Sequence, residues 1–354
     1  MSEELLLVGS VPLETCVDVF DACASTVGPY LPAVPDGETN DRIWWVNMLC
    51  YRVFQHHPDL ITLNRPPKDA EGYPRWKPAN VAEMWHFTVA PGVDRIRFAD
   101  LCYATDAIAS YKVFRLMRES GRFPPNLRFM VCLPMMASGI DLFFRDPADR
   151  PIIYAGFEDA MGREIRRMLE VIPAEDLLIQ WDACVEVLDI EGFFPWSQPA
   201  TAYERNTEPF GRMSAKVPEG VQLGYHLCYG TLGGWPMLKP RDLGLCVRLA
   251  NEAVAKSGRP VDYVHMPVPR HVVPDYFRPL EDLETGGTRI YLGLIHDTDD
   301  LEANLGRVRT AKPFLNTFGL SSVCGLGRLE PERVEPSLRL QARIVEASAD
   351  LRRP

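Results

Sequence analysis

The sequence predicts an α/β protein, a (β/α)8 TIM barrel in a single domain over residues 1–354 with long loops. Three observations predict it. Eight short apolar runs, rich in β-branched residues, punctuate the chain. Longer amphipathic stretches follow most of them, and strand then helix, repeated eight times, is the pattern of a closed parallel barrel. No G-x-G-x-x-G follows the first run, which argues against the open dinucleotide-binding alternative.

In order, the expected strands are "ELLLVGS" (4–10), "EMWHFTVA" (83–90), "NLRFMVCLP" (126–134), "EDLLIQWD" (175–182), "GVQLGYHLC" (220–228), "VDYVHMPV" (261–268), "RIYLGLIH" (289–296) and "NTFGLSSVC" (316–324). The second and third units are poorly resolved, because residues 11–82 and 91–125 are long and mixed. After the third strand, "GREIRRMLEVIP" (162–173) has apolar residues at helical spacing and stops at Pro173. "PRDLGLCVRLANEAVAKSG" (240–258) is amphipathic and ends at Gly258, a helix-stopping residue. "TDDLEANLGRVRTAKPF" (298–314) opens on capping residues, and "PERVEPSLRLQARIVEASADLRR" (331–353) closes the barrel.

The bulk numbers exclude several classes. Of 354 residues, 46% are hydrophobic and 24% charged, as in ordinary globular chains. The net charge of −10 disfavours nucleic acid and anionic membrane as partners, since both select a basic face. No run approaches the length of a membrane span. The start "MSEELLLVGSVPLETC" lacks the basic opening and long apolar core of a signal peptide. Nine cysteines, with no C-x-x-C, fit reduced thiols in a cytoplasmic protein. The sequence leaves the oligomeric state open, a homodimer being one option.

Chemistry in such barrels gathers at the C-terminal ends of the strands. There the sequence puts Ser10 after strand one, Asp182 after strand four, His226 and Cys228 after strand five, and His265 on strand six. His296 and Asp297 follow strand seven, and Cys324 follows strand eight. On a strand, His226 and Cys228 point the same way, because side chains alternate with period two. Each residue alone is ordinary core filler. Together His226, Cys228, His265 and Cys324 make a soft N/S donor set of the kind Zn2+ selects. Two aromatic-rich segments, "RIWWVNMLCYRVF" (42–54) and "EGFFPWSQPATAY" (191–203), are candidates to roof the mouth and line an apolar pocket.

Six motifs in order along the chain resemble the C-terminal catalytic barrel of cobalamin-independent methionine synthases. "VGSVP" (8–12) is similar to that family's I-G-S-F-P, "DGETNDR" (36–42) to its G-E-x-x-R-N-D, and "IQWDA" (179–183) to its L-Q-I-D-E-P. "YHLCYG" (225–230) is similar to its H-M-C-Y, "LIHD" (294–297) to its D-I-H-S-P, and "CGLGR" (324–328) to its C-G-L-K-T-R. The resemblance implies that His226, Cys228 and Cys324 bind zinc. It also implies that Ser10, Glu38 and Asp182 hold an amino-acid substrate, and that His296 moves a proton. Two departures stand out. The family's remaining ligand is a Glu at the end of strand six, where this chain offers His265. The family's E-P after the strand-four Asp is replaced by Ala183 and Cys184.

The expected function is that of a zinc-dependent methyl- or alkyltransferase. A small-molecule thiol is activated as a zinc thiolate and attacks an electrophilic carbon of an alkyl donor, with Glu38 and Asp182 anchoring an ammonium or hydroxyl group and His296 as general acid. Three rivals remain on sequence grounds. One is a hydrolase or lyase using zinc-bound water, with Asp297 or Asp182 as base. Another is a closed structural zinc site. The last is a metal-free enzyme related to uroporphyrinogen decarboxylase.

Overall fold

A computed structural model describes residues 4–231 and 234–352. Its centre is a ring of eight parallel strands: β1 Leu5–Leu6, β2 Ala33–Pro35, β3 Arg128–Pro134, β4 Leu177–Ala183, β5 Gln222–Leu227, β6 Tyr263–Pro267, β7 Arg289–Ile295 and β8 Gly319–Ser322. The ladder runs β1-β8-β7-β6-β5-β4-β3-β2, so each strand lies beside its neighbours in sequence. The ladder ends at β1 and β2. Single backbone bonds span that seam: the Glu4 N–H donates to the Tyr30 carbonyl at 3.0 Å, and the Val11 N–H to the Gly37 carbonyl at 2.8 Å. The result is a nearly closed (β/α)8 barrel.

The second half of the chain follows the expected pattern. The observed helices Arg150–Leu169, Gly244–Lys256, Leu301–Ala311 and Pro331–Ala347 sit in or around the expected windows. Asp300 caps the third of these by accepting from the Ala303 N–H at 2.8 Å. Arg353, the last residue of the expected closing helix, lies outside the described residues. The first half corrects the expectation. The run at 83–90 is not a barrel strand: His86–Val89 pairs antiparallel with Leu60–Asn64 in a separate two-stranded sheet. The second barrel strand is instead Ala-Val-Pro at 33–35, too short to show a period. Helices Cys16–Thr26 and Tyr103–Glu119 fill the stretches that read as mixed. The first is fixed by a capping box, Thr15 and Asp18 each accepting from the other's backbone N–H.

Register places the site. Asp182 on β4 lies opposite His226 on β5, and His226 lies opposite His265 on β6. One row of the barrel therefore carries a carboxyl and two imidazoles abreast. Two residues lower, Gln180, Gly224 and Tyr263 form the next row facing the same way. There the rings of Tyr263 and Tyr291 meet edge to face, with centroids 5.6 Å apart, and pack with Leu6, Ala33, Met130, Cys132 and Leu178. Gln180 Nε2 donates to the Val8 carbonyl and to Asp182 Oδ1, both at 2.7 Å. A filled lower bore thus supports a polar upper row.

Candidate metal centre

His226, Cys228 and Cys324 converge at the C-terminal mouth. Their donor atoms all lie within 4.8 Å of one another. Cys228 Sγ is 3.6 Å from Cys324 Sγ, which is 3.7 Å from His226 Nε2. At tetrahedral angles, zinc bonds of ~2.3 Å to sulfur and ~2.1 Å to nitrogen put two sulfurs about 3.8 Å apart, and sulfur and nitrogen about 3.6 Å apart. The residues therefore fit zinc in both donor type and spacing. The neighbouring Cys184 thiol, together with burial, pushes the Cys228 thiol well above its ordinary range; Cys228 and burial do the same to Cys324. Two adjacent thiols in such surroundings ionise together only against a cation, which a soft dication supplies.

His265 does not join this set, a correction to the four-donor expectation. Both of its ring nitrogens are engaged elsewhere. Nε2 faces the Ser322 carbonyl at 3.0 Å, and Nδ1 faces His226 Nδ1 at 2.7 Å. Burial lowers the pKa of His265 to about 4, and burial with His265 alongside lowers that of His226 well below its ordinary value, so both rings are neutral near pH 7. A carbonyl only accepts, so His265 carries its hydrogen on Nε2 and offers a lone pair at Nδ1. His226 then donates from Nδ1 and turns the Nε2 lone pair toward the two sulfurs. His265 thus sets the tautomer and tilt of His226, a candidate ligand. The charge count is unaffected: one neutral imidazole, two thiolates and Zn2+ sum to zero. Replacing His265 with Ala should weaken zinc binding about 10–100-fold, read by competition with a chromophoric chelator.

Ser10, Glu38 and Asp182 also come together. The Ser10 hydroxyl donates to Glu38 Oε2. Glu38 and Asp182 have carboxyl oxygens within 4.8 Å of one another. The loop bearing Glu38 is held by Asp36, which pairs with Arg42 at 2.8 Å and accepts from the Glu38 N–H at 3.0 Å. Glu38, Asn40 and Trp45 all have positive φ, at 50°, 62° and 41°. Such backbone in non-glycine residues costs energy and persists where the surroundings impose it. Burial raises Glu38 to about 7; burial and the Glu38 charge raise Asp182 well above the carboxylate range. The pair therefore holds a proton near neutrality and favours a cationic or hydrogen-bond-donating partner.

A raised carboxyl pKa makes the folded state bind more protons than the unfolded one between the two pKa values. Stability from Glu38 is then present below about 4.5 and is lost as pH rises through about 7. Glu38→Gln removes this dependence. Urea unfolding at pH 5 and pH 8 should show the wild type losing about 1–2 kcal/mol more than the variant between them, discounted for the side chain's partial exposure.

The seventh-strand candidates lie elsewhere. The His296 ring packs on Trp235, centroids 5.9 Å apart, and its Nε2 is 3.0 Å from the Val268 carbonyl. Asp297 pairs with Arg333 at 3.2 Å at the surface. Neither lines the cavity that the metal donors share. That cavity, of about 260 Å3, is walled by Ser10, Glu38, Asp182, His226, Cys228 and Cys324 at one part and by both aromatic-rich segments at another. Trp44, Trp45, Phe193, Phe194 and Trp196 all face it. Two further residues on its wall had no assigned part in the sequence reading. Cys184 follows β4 directly, and its backbone N–H donates to Ser138 Oγ at 2.9 Å. Arg145 lies in an irregular segment with no motif around it.

At the level of sequence, the chain matches no family model and no curated protein. Solved structures do match. A B12-independent methionine synthase from Shewanella sp. W3-18-1, in complex with selenomethionine, aligns over 95% of this chain and 88% of its own at 16% identity, TM-score 0.62. A putative vitamin-B12 independent methionine synthase from Listeria monocytogenes aligns over 94% and 85% at 15% identity, TM-score 0.56. A methyltransferase from Methanosarcina mazei aligns over 96% and 94% at 10% identity, TM-score 0.50. At these identities the likeness is one of fold: the chain shares the (β/α)8 barrel of these structures.

Proposed function

We propose that this protein is a zinc-dependent transferase that moves a methyl or other alkyl group onto a small-molecule thiol. The observation that carries the reading is the His226–Cys228–Cys324 cluster, spaced for zinc and opening on a cavity. Three protein donors would leave a bound zinc room for one further ligand, as in catalytic rather than structural sites. The likeness to two methionine synthases and a methyltransferase supports the same class of chemistry.

Zinc in this site would supply Lewis acidity, lowering the pKa of a thiol toward neutrality. The chain's own residues do the rest. His226, Cys228 and Cys324 would hold the ion, and His265 fixes the His226 tautomer. Glu38 and Asp182, steadied by Ser10 and Gln180, receive an ammonium or hydroxyl group of the substrate. The tryptophans and phenylalanines of the two loops exclude water and so favour sulfur over water as the nucleophile. The turned-away Asp297 removes one of the two bases a hydrolytic reading relies on.

The test is direct. Purified protein should carry about one zinc per chain by elemental mass spectrometry, and supplied thiols should shift the charge-transfer spectrum of the cobalt-substituted protein. Alkyl transfer from a methyl donor should require the thiol; turnover with water alone would refute the reading.

A further inference from the structure

The aromatic part of the cavity contains a cation that, among the described residues, has no anionic partner. Arg145 lies over the Trp196 ring, its guanidinium carbon 4.6 Å from the centroid. Trp196 in turn stacks on Phe194, centroids 4.9 Å apart and planes 11° apart. Guanidinium, indole and phenyl form one layered wall. Among the described residues Arg145 makes no ion pair, and its buried Nε has no hydrogen-bond partner. Burial alone acts on its pKa, downward, with no carboxylate opposing. The other arginine on the wall, Arg328, is already engaged. It lies 4.4 Å over Trp44, and its Nη1 donates to the Ile43 and Gly327 carbonyls. The two cavity carboxyls are bonded to Ser10 and Gln180.

A half-buried guanidinium with an unmet donor is costly unless an anion completes it. Its planar fork matches the two oxygens of a carboxylate. The rest of the wall is apolar and aromatic, which suits a flat ring offset-stacked or edge-on. The volume, about 260 Å3, admits a compact molecule and not a long one. We propose that the cavity beside the metal centre binds a compact aromatic acid, its ring on the Trp196 and Phe194 wall and its carboxylate on Arg145. That such an acid is a substrate rests on the transferase reading; that it binds does not.

Calorimetric titration of the full chain with 4-methoxybenzoate and with its neutral isostere 4-methoxybenzamide tests this without turnover or added thiol. The acid should bind at least about tenfold more tightly than the amide. Arg145→Ala should abolish that preference while changing amide affinity by less than about threefold. Arg145→Lys, which keeps the charge and loses the fork, should fall between. Circular dichroism checks folding, and Arg145→Gln replaces the alanine variant if that one is unfolded. Equal binding of the two probes, binding of neither, or a preference surviving in Arg145→Ala overturns the proposal. Repeating the titration after chelation separates the two readings: a preference for the acid that persists without zinc stands on Arg145 alone, whereas the transferase reading falls only if the protein as purified carries no zinc.

Discussion

Serine in place of Cys324 is expected to cut the zinc carried by the purified protein to roughly a tenth or less. The Cys324 sulfur is the member of the cluster that touches both others, at 3.6 Å from Cys228 and 3.7 Å from His226 Nε2. A serine hydroxyl keeps the shape but does not ionise near neutrality, so the site loses a soft anionic donor and one negative charge. Structural zinc sites bind with about 10–16 kcal/mol over four donors, so one thiolate accounts for about 2.5–4 kcal/mol, or ~10²–10³ in Kd. The backbone there does not depend on the thiol. The Ser322 hydroxyl donates to the Cys324 carbonyl at 2.7 Å, and the Leu326 N–H donates to the Ser10 carbonyl at 2.7 Å. The variant should therefore keep the wild-type circular dichroism spectrum while losing metal. Chelator competition and elemental analysis on the same sample read both. Unchanged zinc content in a folded Cys324→Ser protein would remove the metal centre from the account.

The cluster could be read from sequence because zinc donors are rare residue types and strand ends are countable. Cys228 and Cys324 lie 96 positions apart, yet each ends an apolar run, and a parallel barrel sends both ends to one mouth. Direction is harder to read than position. His296 does follow β7, but its ring is held by Trp235 and the Val268 carbonyl, contacts made by residues far off in sequence. His265 is on the expected strand and beside His226, and it takes the outer role because a ring-to-ring hydrogen bond fixes it. The front of the barrel was illegible for a different reason. β1 has two ladder residues and β2 three, too few for a period of two to register. The hairpin strand His86–Val89 alternates buried and half-buried residues, the stronger strand signal of the two, although it lies outside the barrel. Arg145 had no signal at all, since its proposed role rests on the ion pair it does not make among the described residues.

Alanine in place of Gly224 is expected to destabilise the fold by about 3–5 kcal/mol, the sum of overpacking and a lost buried hydrogen bond. Gly224 lies between Gln180 and Tyr263 in the row below the metal donors. A β-carbon there would be 2.1 Å from Tyr263 Cζ. The ring has no free space: it is buried, packs edge to face on Tyr291, and donates its hydroxyl to Gln180 Oε1 at 2.6 Å. Gly319 repeats the device, with Tyr291 2.3 Å from the position of an added β-carbon. Two tyrosines fill the bore because the adjacent strand offers a glycine to each. Moving Tyr263 leaves Gln180 short of a partner inside a dry barrel, and Gln180 is the residue that holds Asp182 and ties β4 to the Val8 carbonyl. Gly306→Ala is the control. Gly306 lies in a helix with nothing within 4 Å of an added β-carbon, and helix propensity predicts up to about 1 kcal/mol of stabilisation there. Urea unfolding of the three proteins should therefore place the Gly224→Ala midpoint far below the wild type and the Gly306→Ala midpoint at or above it. A wild-type midpoint for Gly224→Ala would mean that Tyr263 has another place to go. Asp182 would then take its support from somewhere other than the lower bore.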